Sequence, residues 1–475
     1  MLPAEKGGHL LRRRANLVVW VAILALILAS EAGAREDAGQ FFARSGRDQS
    51  GARPARSAFD AAAFREVIRL IKDNYVTDLS DDALYKRPLE LLTIVLPPPC
   101  VDEIPSTADC TGRPDTCFFT TLQAIALRCH FERGELFRLV LQLILGELDP
   151  NSSFMDDAMV KEMAITTSGK FGGVGIMVSR RDGDYVVVSP LDGSTAYRAG
   201  IKAGDVMLEI DGAPVHGLPL LEVLRKVRGP VGSTMRATVR DGKSGEVRHV
   251  NLRRETVVIP PVRHASLEEG IGYLRIVNFQ ATTAPEVEKA LVLLLKECGG
   301  HFNGLILDLR DNPGGLLEQA IQVADLFLSC GAITSVRGRD GQKSREFMAQ
   351  PGAVLARVPI AVLINRGTAS GAEILAGALQ GKPGVVVMGE PSFGKASVQG
   401  VYPVPGGTAL RLTTAHYYTA EGRDIEGRGL EPEMLLADPP VRQVAALPGG
   451  EADQIQTDPW VKKAMEILMS WGSRR

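Results

Sequence analysis

Beyond Pro260 the chain alternates short apolar runs with segments whose apolar residues recur at helical spacing, and this alternation restricts the fold most. Ile271–Ile276, Gly304–Leu309 and Ile360–Ile364 read as strands, the last as a buried one. Ala284–Glu297, Leu316–Leu328 and the stretch after Ser370 read as helices between them. Strand and helix in turn predict an α/β core over residues 258–437.

The residues before this core have a different texture. In 166–257, Phe171–Ser179, Tyr185–Ser189, Val206–Ile210 and Met235–Val239 are short strand-like runs separated by Gly, Asp and Pro turns. Helical segments are predicted at Ser194–Ala199 and Leu220–Val227, so the whole reads as a small, partly open β-barrel. Residues 58–165 read as a helical N-terminal domain. Phe64, Val67, Ile68, Leu70 and Ile71 mark one amphipathic helix, and Leu84–Val95 is a second, ended by Pro97-Pro98-Pro99. A cysteine-bearing insertion stays loop-like to about Cys117, after which helix runs from Thr121 to Leu148, interrupted near Arg133-Gly134. Residues 438–475 form a linker, Pro/Gly-rich near Ala446–Gly450, and a helix over Pro459–Trp471.

The first residues suggest export. Arg12-Arg13-Arg14, the apolar run Ala15–Ala29 and the small residues Ala32-Gly33-Ala34 follow the order of a secretory signal, so 1–34 is expected to be a signal peptide. The run is shorter than the ~20 residues that span a bilayer, and an uncleaved membrane anchor is the alternative. Residues 35–57, rich in Gly, Arg, Ala and Ser, read as a flexible linker. Cys100, Cys110, Cys117 and Cys129 are disulfide candidates, as an even, clustered set in an exported chain should be; Cys298 and Cys330 are expected to form a further bridge. The protein is therefore placed in the periplasm or outside the cell.

Composition removes several function classes. With 54 basic and 56 acidic residues the net charge is −2, which gives no electrostatic reason to expect nucleic acid. No His-x-x-x-His or comparable spacing joins His9, His130, His216, His249, His264, His301 and His416, so no metal and no other cofactor is expected.

The chemistry is expected at two places. Asn365-Arg366-Gly367-Thr368-Ala369-Ser370 joins a buried strand to a helix, which leaves Ser370 beside free backbone N–H groups and the positive end of the helix dipole. Ser392-Phe393-Gly394-Lys395-Ala396-Ser397-Val398-Gln399 sets Lys395 in a glycine-flanked loop. A serine hydroxyl needs a base near neutral pH, and a lysine serves once desolvation leaves its amine neutral. Two competitors rank lower. Ser392 has Ser-x-x-Lys spacing to Lys395, but Pro391 and Phe393-Gly394 favour a turn over the helical face that spacing requires. His416 lies in strand-like sequence and reads as structural.

These residues resemble the C-terminal processing peptidases, or tail-specific proteases. Gly367–Ile374, Ala376–Gln380 and Phe393–Gln399 carry the likeness, with Leu148–Phe154, Leu307–Leu316 and Gly422–Pro432, over roughly Phe59 to Leu468. The resemblance implies a serine endopeptidase with a crotonase-like ββα spiral as its core, Ser370 as nucleophile, Lys395 as general base and Gln399 orienting the amine. It also implies an oxyanion hole from backbone N–H groups of Gly314 or Gly315 with Gly371. Residues 166–257 resemble a PDZ domain, in which Gly173-Val174-Gly175-Ile176 would receive a peptide's terminal carboxylate. Arg228 would couple that domain to the catalytic site. Implied partners are proteins with apolar C-terminal tails, an adaptor protein and a second copy in a homodimer. Gly381 stands where many relatives carry an acidic residue. The rival readings are a catalytically silent PDZ scaffold and a ligand carrier on the same core fold.

Overall fold

The computed structural model describes residues 61–97, 100, 112–131, 133–181, 183–191, 193–339, 344–352, 355, 358–437 and 455–472. The signal segment, the linker 35–57, Cys110 and the stretch 438–454 lie outside them.

The described residues begin with α1 (Ala61–Asn74), a π-helical turn at Asp82–Lys86, α2 (Arg87–Val95), α3 (Pro114–Arg128) and α4 (Arg133–Leu148). Phe64, Val67, Ile68 and Ile71 repeat every three or four residues, so α1 turns one face inward. Its Phe64 ring stacks on Phe137 of α4 and Phe118 of α3. These helices share their core with Val404, Leu410 and Leu412 of a sheet described below. The sequence places the start of α3 too late: Pro114 stands at its first turn, where its missing N–H costs nothing. Cys100 and Cys129 form a disulfide, and Cys117 is also disulfide-bonded.

After β1 (Ser153–Met155) and α5 (Asp157–Ser168), β2 (Lys170–Gly173) starts an excursion that ends at β9 (Glu255–Val258). β2 and β9 pair antiparallel, so the inserted region leaves and returns through one two-stranded stem. Between them lie β3 (Ile176–Arg181), β4 (Asp184–Pro190), α6 (Thr195–Arg198), β5 (Val206–Ile210), β6 (Ala213–Pro214), α7 (Leu220–Val227), β7 (Thr234–Arg240) and β8 (Val247–Arg253). The strands order as β3-β4-β5-β7-β8, with β6 on β5. Val174, Tyr185, Met207, Val223, Met235 and Leu252 close a separate core. Phe171–Ser179, predicted as one strand, is split, because Gly175 takes a positive φ of 72° and redirects the chain between β2 and β3.

The remainder follows the predicted alternation. β10 (Val262–Ser266) runs antiparallel to β11 (Ile271–Ile276). Then come α8 (Thr283–Glu297), β12 (Gly304–Asp308), α9 (Leu317–Phe327), β13 (Ala332–Gly338), β14 (Arg345–Met348), β15 (Ile360–Ile364), α10 (Gly371–Leu379), β16 (Val385–Gly389), β17 (Ser397–Val404), β18 (Thr408–Thr419), β19 (Met434–Leu435) and α11 (Pro459–Gly472). One sheet orders as β10-β11-β12-β15-β16-β19, parallel from β11 onward. A second, antiparallel sheet orders as β1-β18-β13-β14, with β17 also on β18.

β12 and β15 are wholly buried because alternate residues feed two cores. Leu305, Leu307, Val362 and Ile364 meet the side covered by α8, α9 and α10; Ile306, Ala361 and Leu363 meet Trp460, Val461, Ala464 and Leu468 of α11. A buried ion-pair network anchors α11. Arg310 gives Nε and Nη2 to Asp308 at 2.8 and 2.7 Å, and Nη1 to both oxygens of Asp458 at 3.1 and 3.0 Å. Asp458 in turn caps α11 at the Trp460 N–H, 2.9 Å away.

Cys298 and Cys330 are free thiols, correcting the expected bridge. Cys298 is buried at the end of α8 against the Ser266 hydroxyl at 3.5 Å, whereas Cys330 faces solvent. The Cys100–Cys129 bridge closes a 29-residue separation. Cys129→Ser should therefore lower stability by about 3 kcal/mol. Denaturant unfolding of oxidised protein checks this, and an unchanged midpoint would refute it.

Candidate active site

Two turns meet at the carboxyl ends of β12 and β15. Thr368 Oγ1 donates to the Leu309 carbonyl at 2.9 Å, and the Ala369 N–H to the Asn312 carbonyl at 2.9 Å. Asn365 and Asp311 exchange bonds: Nδ2 to Oδ1 at 2.8 Å, and the Asp311 N–H to Asn365 Oδ1 at 2.9 Å. One turn, 309–315, is thereby fixed against the other, 365–371.

Ser370 ends the second turn with φ 54° and ψ −119°, a conformation costly for any residue with a Cβ. Its N–H donates to Glu373 Oε2 at 2.8 Å, and its carbonyl accepts the Glu373 N–H at 2.8 Å. Opposite it, Gly314 has φ 94°, and a Cβ there would lie 2.7 Å from Ser370 Cβ and 2.8 Å from the Gly371 nitrogen. Gly315 is equally constrained, since its Cβ would lie 2.2 Å from the Phe279 carbonyl oxygen. The Gly314 N–H is taken by Asn312 Oδ1 at 2.8 Å. Among the described residues the N–H groups of Gly315 and Gly371 have no acceptor.

Lys395 lies on the loop before β17. Its N–H donates to Glu373 Oε2 at 2.9 Å, the oxygen that also holds Ser370. The Tyr417 hydroxyl reaches the Lys395 carbonyl at 2.6 Å, the Ser370 carbonyl at 3.1 Å and Glu373 Oε2 at 3.3 Å. Burial pushes the Lys395 amine below the ordinary lysine value and Arg411 adds to this, while Glu426 and Asp149 oppose it. Asp149 is itself held by the Ser152 hydroxyl at 2.6 Å and Thr413 Oγ1 at 3.0 Å, which brings Leu148–Phe154 to the site. No hydrogen bond joins the Ser370 hydroxyl to the Lys395 amine among the described residues.

A strained serine and a half-buried lysine on one scaffold call for comparison with known enzymes. The family model for peptidase family S41 matches residues 270–436, and one for a PDZ domain matches 186–241. A carboxy-terminal-processing protease of Bartonella bacilliformis is 40% identical over 297 residues, covering 62% of this chain and 68% of that protein. The carboxy-terminal processing protease CtpA of Bacillus subtilis is 35% identical over 352 residues, with coverages of 72% and 74%. The carboxyl-terminal-processing protease of Picosynechococcus is 35% identical over 327 residues, with 68% and 77%. The chain belongs to the carboxy-terminal-processing serine proteases of family S41.

In this S41 protease the remaining sequence-selected residues are distributed as follows. Gln399 donates its amide to Ser397 Oγ at 2.8 Å and to the Ser397 carbonyl at 3.1 Å, and no hydrogen bond links it to Lys395. Ser392 is buried, donating to Glu373 Oε1 at 2.5 Å and accepting the Leu430 N–H at 2.7 Å, so its hydroxyl is spent on structure. His416 sits in β18 opposite Arg337 and Ser397. In the PDZ region the Val174 carbonyl accepts the Ala196 N–H, and the Gly175 carbonyl accepts the Leu191 N–H. β3 is the end strand of its sheet. Arg228 does not touch Ser370 or Lys395. Its Nη1 meets both oxygens of Glu162 at 2.6 and 2.8 Å, and its guanidinium lies 4.6 Å from the Phe171 ring centre. It thus ties the end of α7 to α5, beside a cavity of about 660 Å³ lined by Met159, Ile165, Phe171, Leu224 and Pro230.

The residue that sequence reasoning missed is Glu373. Fully buried, its carboxyl group accepts from the Ser370, Gly394 and Lys395 N–H groups and from the Ser392 and Tyr417 hydroxyls. Ser-x-x-Glu at the start of an apolar helix is a capping-box spacing and was the available signal. Glu373→Gln would point an amide N–H₂ at some of these donors. It should cost on the order of 3 kcal/mol and slow cleavage. Guanidinium unfolding and peptide hydrolysis test it, and wild-type values in both would remove Glu373 from this role.

Proposed function

We propose that this chain is an endopeptidase in which a Ser370–Lys395 dyad cuts exported proteins near their C-termini after the PDZ region captures the tail. The observation that carries the reading is the shared anchoring of the two residues. Ser370 and Lys395 donate their N–H groups to one oxygen of Glu373, and burial lowers the basicity of the amine.

In this reading neutral Lys395 takes the Ser370 proton as the hydroxyl oxygen attacks the peptide carbonyl. The tetrahedral oxyanion accepts from the N–H groups of Gly315 and Gly371, the two left without acceptors, while Gly314 gives the backbone room to approach. Lys395 then returns the proton to the leaving amine, and water resolves the acyl-enzyme. Gln399 is assigned the orienting role, which requires its amide to leave Ser397 for the Lys395 amine once a tail is bound. Catalytic bonds often tighten only in the substrate complex, in keeping with the open serine–lysine geometry.

The tail is assigned to Gly173-Val174-Gly175-Ile176 and to the free edge of β3, which an extended peptide would lengthen as an added strand. Arg228, through Glu162 and α5, is the route by which occupancy would reach the core. The reading keeps the segments as 1–34 signal or anchor, 35–57 linker, 58–165 helical domain, 166–257 PDZ, 258–437 crotonase-like core and 438–475 tail helix. Export is inferred from the N-terminal pattern and supported by the Cys100–Cys129 disulfide. No helix among the described residues is long and apolar enough to cross a membrane.

Ser370→Ala and Lys395→Ala should each reduce cleavage of a tailed peptide by at least about 10³-fold while tail binding persists. Mass spectrometry of exported proteins should then find altered C-termini in the Ser370→Ala strain. Identical C-termini would favour a silent PDZ scaffold or a ligand carrier. The base acts only when neutral, so kcat/KM should rise with pH on a limb centred below the ordinary lysine value. Lys395→Arg keeps the charge at every pH and should be inactive throughout; a pH profile identical to wild type would exclude Lys395 as base.

A further inference from the structure

The two turns described above would be useless for catalysis if they were close but free to slide. Asn312 commits both side-chain polar groups and its carbonyl to preventing this. It is fully buried. Its Nδ2 donates to the Ile276 carbonyl at the end of β11 at 2.9 Å, and its Oδ1 accepts the Gly314 N–H at 2.8 Å. Its own carbonyl accepts the N–H of Ala369, the residue before Ser370, at 2.9 Å. One side chain therefore ties a sheet strand to the Gly314-Gly315 turn, and its backbone ties that turn to the nucleophile loop.

We propose that Asn312 is the positioning residue of the oxyanion turn, holding the Gly315 N–H in line with the Gly371 N–H without touching substrate. The proposal rests on the catalytic reading above. The amide is the side chain that fits: a donor must face the Ile276 carbonyl while an acceptor faces the Gly314 N–H. Gly314 N–H, engaged in this way, is a structural donor that fixes the next peptide plane. An oxyanion hole acts by being in place before charge develops, so loosening it should lower the rate of the chemical step with little effect on substrate capture.

Asn312→Asp separates positioning from mere packing. It keeps the volume and the acceptor for Gly314 but sets a carboxylate oxygen against the Ile276 carbonyl. Burial favours the protonated form, whose O–H restores the missing donor. Charged groups on the adjoining elements are Arg310 and Asp311 on the same turn, Arg275 of β11, which bonds the Arg310 carbonyl, and Glu373 of α10, which holds the Ser370 N–H. On an internally quenched peptide with an apolar C-terminal tail, kcat of Asn312→Asp should fall about 100-fold at neutral pH, with KM within about twofold of wild type. The ratio of variant to wild-type kcat should then climb as pH is lowered. Asn312→Ala should show the same loss of kcat with no such climb. It also serves as the second variant if Asn312→Asp does not fold, with active sites counted by a serine-reactive phosphonate. A kcat within threefold of wild type in Asn312→Ala, or a flat ratio across pH in a folded Asn312→Asp, overturns the proposal. Ser370→Ala and Lys395→Ala run alongside: if they cut normally the dyad reading has failed, whereas if they are inactive and Asn312→Ala is not, this inference alone has.

Discussion

The candidate active site depends on one buried carboxyl group. Glu373 sits at the third position of α10 and gathers donors from three parts of the chain: Ser370 before it, Ser392-Phe393-Gly394-Lys395 beyond β16, and Tyr417 on β18. A buried acceptor without partners is costly, and a buried N–H without one is costly too. Each of these groups therefore removes a penalty from the others. Ser370 pays for its backbone strain through the same contact, since a residue held at φ 54° persists only where its surroundings over-determine it.

Around that group the fold supplies rigidity in layers. β12 and β15 are covered on both faces, and their carboxyl ends deliver Asp308 and Ile364 to adjacent points from which the two turns spring. On the far face, α11 is held by apolar burial and by the Asp458–Arg310–Asp308 network, so it bears on the strand that leads into the 309–315 turn. Such a buried ion network adds little net stability, but losing one member would strand a charge in the core.

Much of the fold was legible because its strands and helices carry unbroken periodic signals. Ile271–Ile276, Ile360–Ile364 and Leu220–Val227 were read with the bounds they have in the structure, and Ser370 and Lys395 were singled out from their turn and loop contexts. What was lost has definite causes. Apolar residues on both sides of Gly175 masked a change of partner from β9 to β4, which a one-dimensional pattern does not encode. The segment up to about Cys117 was read as loop, although Pro114 already opens a helix there. Glu373 was hidden because an acidic residue near a helix start is normally a solvated complement to the dipole. The free state of Cys298 and Cys330 depends on three-dimensional placement that spacing alone does not give. Arg228 was expected to signal toward the core, and its partners Glu162 and Phe171 emerge only when α5 is folded beside the stem.

The antiparallel stem of β2 and β9 carries a consequence for how the enzyme can be remodelled. Both ends of the excursion are paired with each other, and the intervening strands keep a core separate from the catalytic one. To the catalytic half the whole excursion counts topologically as one long surface loop. Lengthening such a loop adds little closure entropy. A different module with similarly spaced termini can therefore be grafted at the same two strands while the catalytic half keeps its own core.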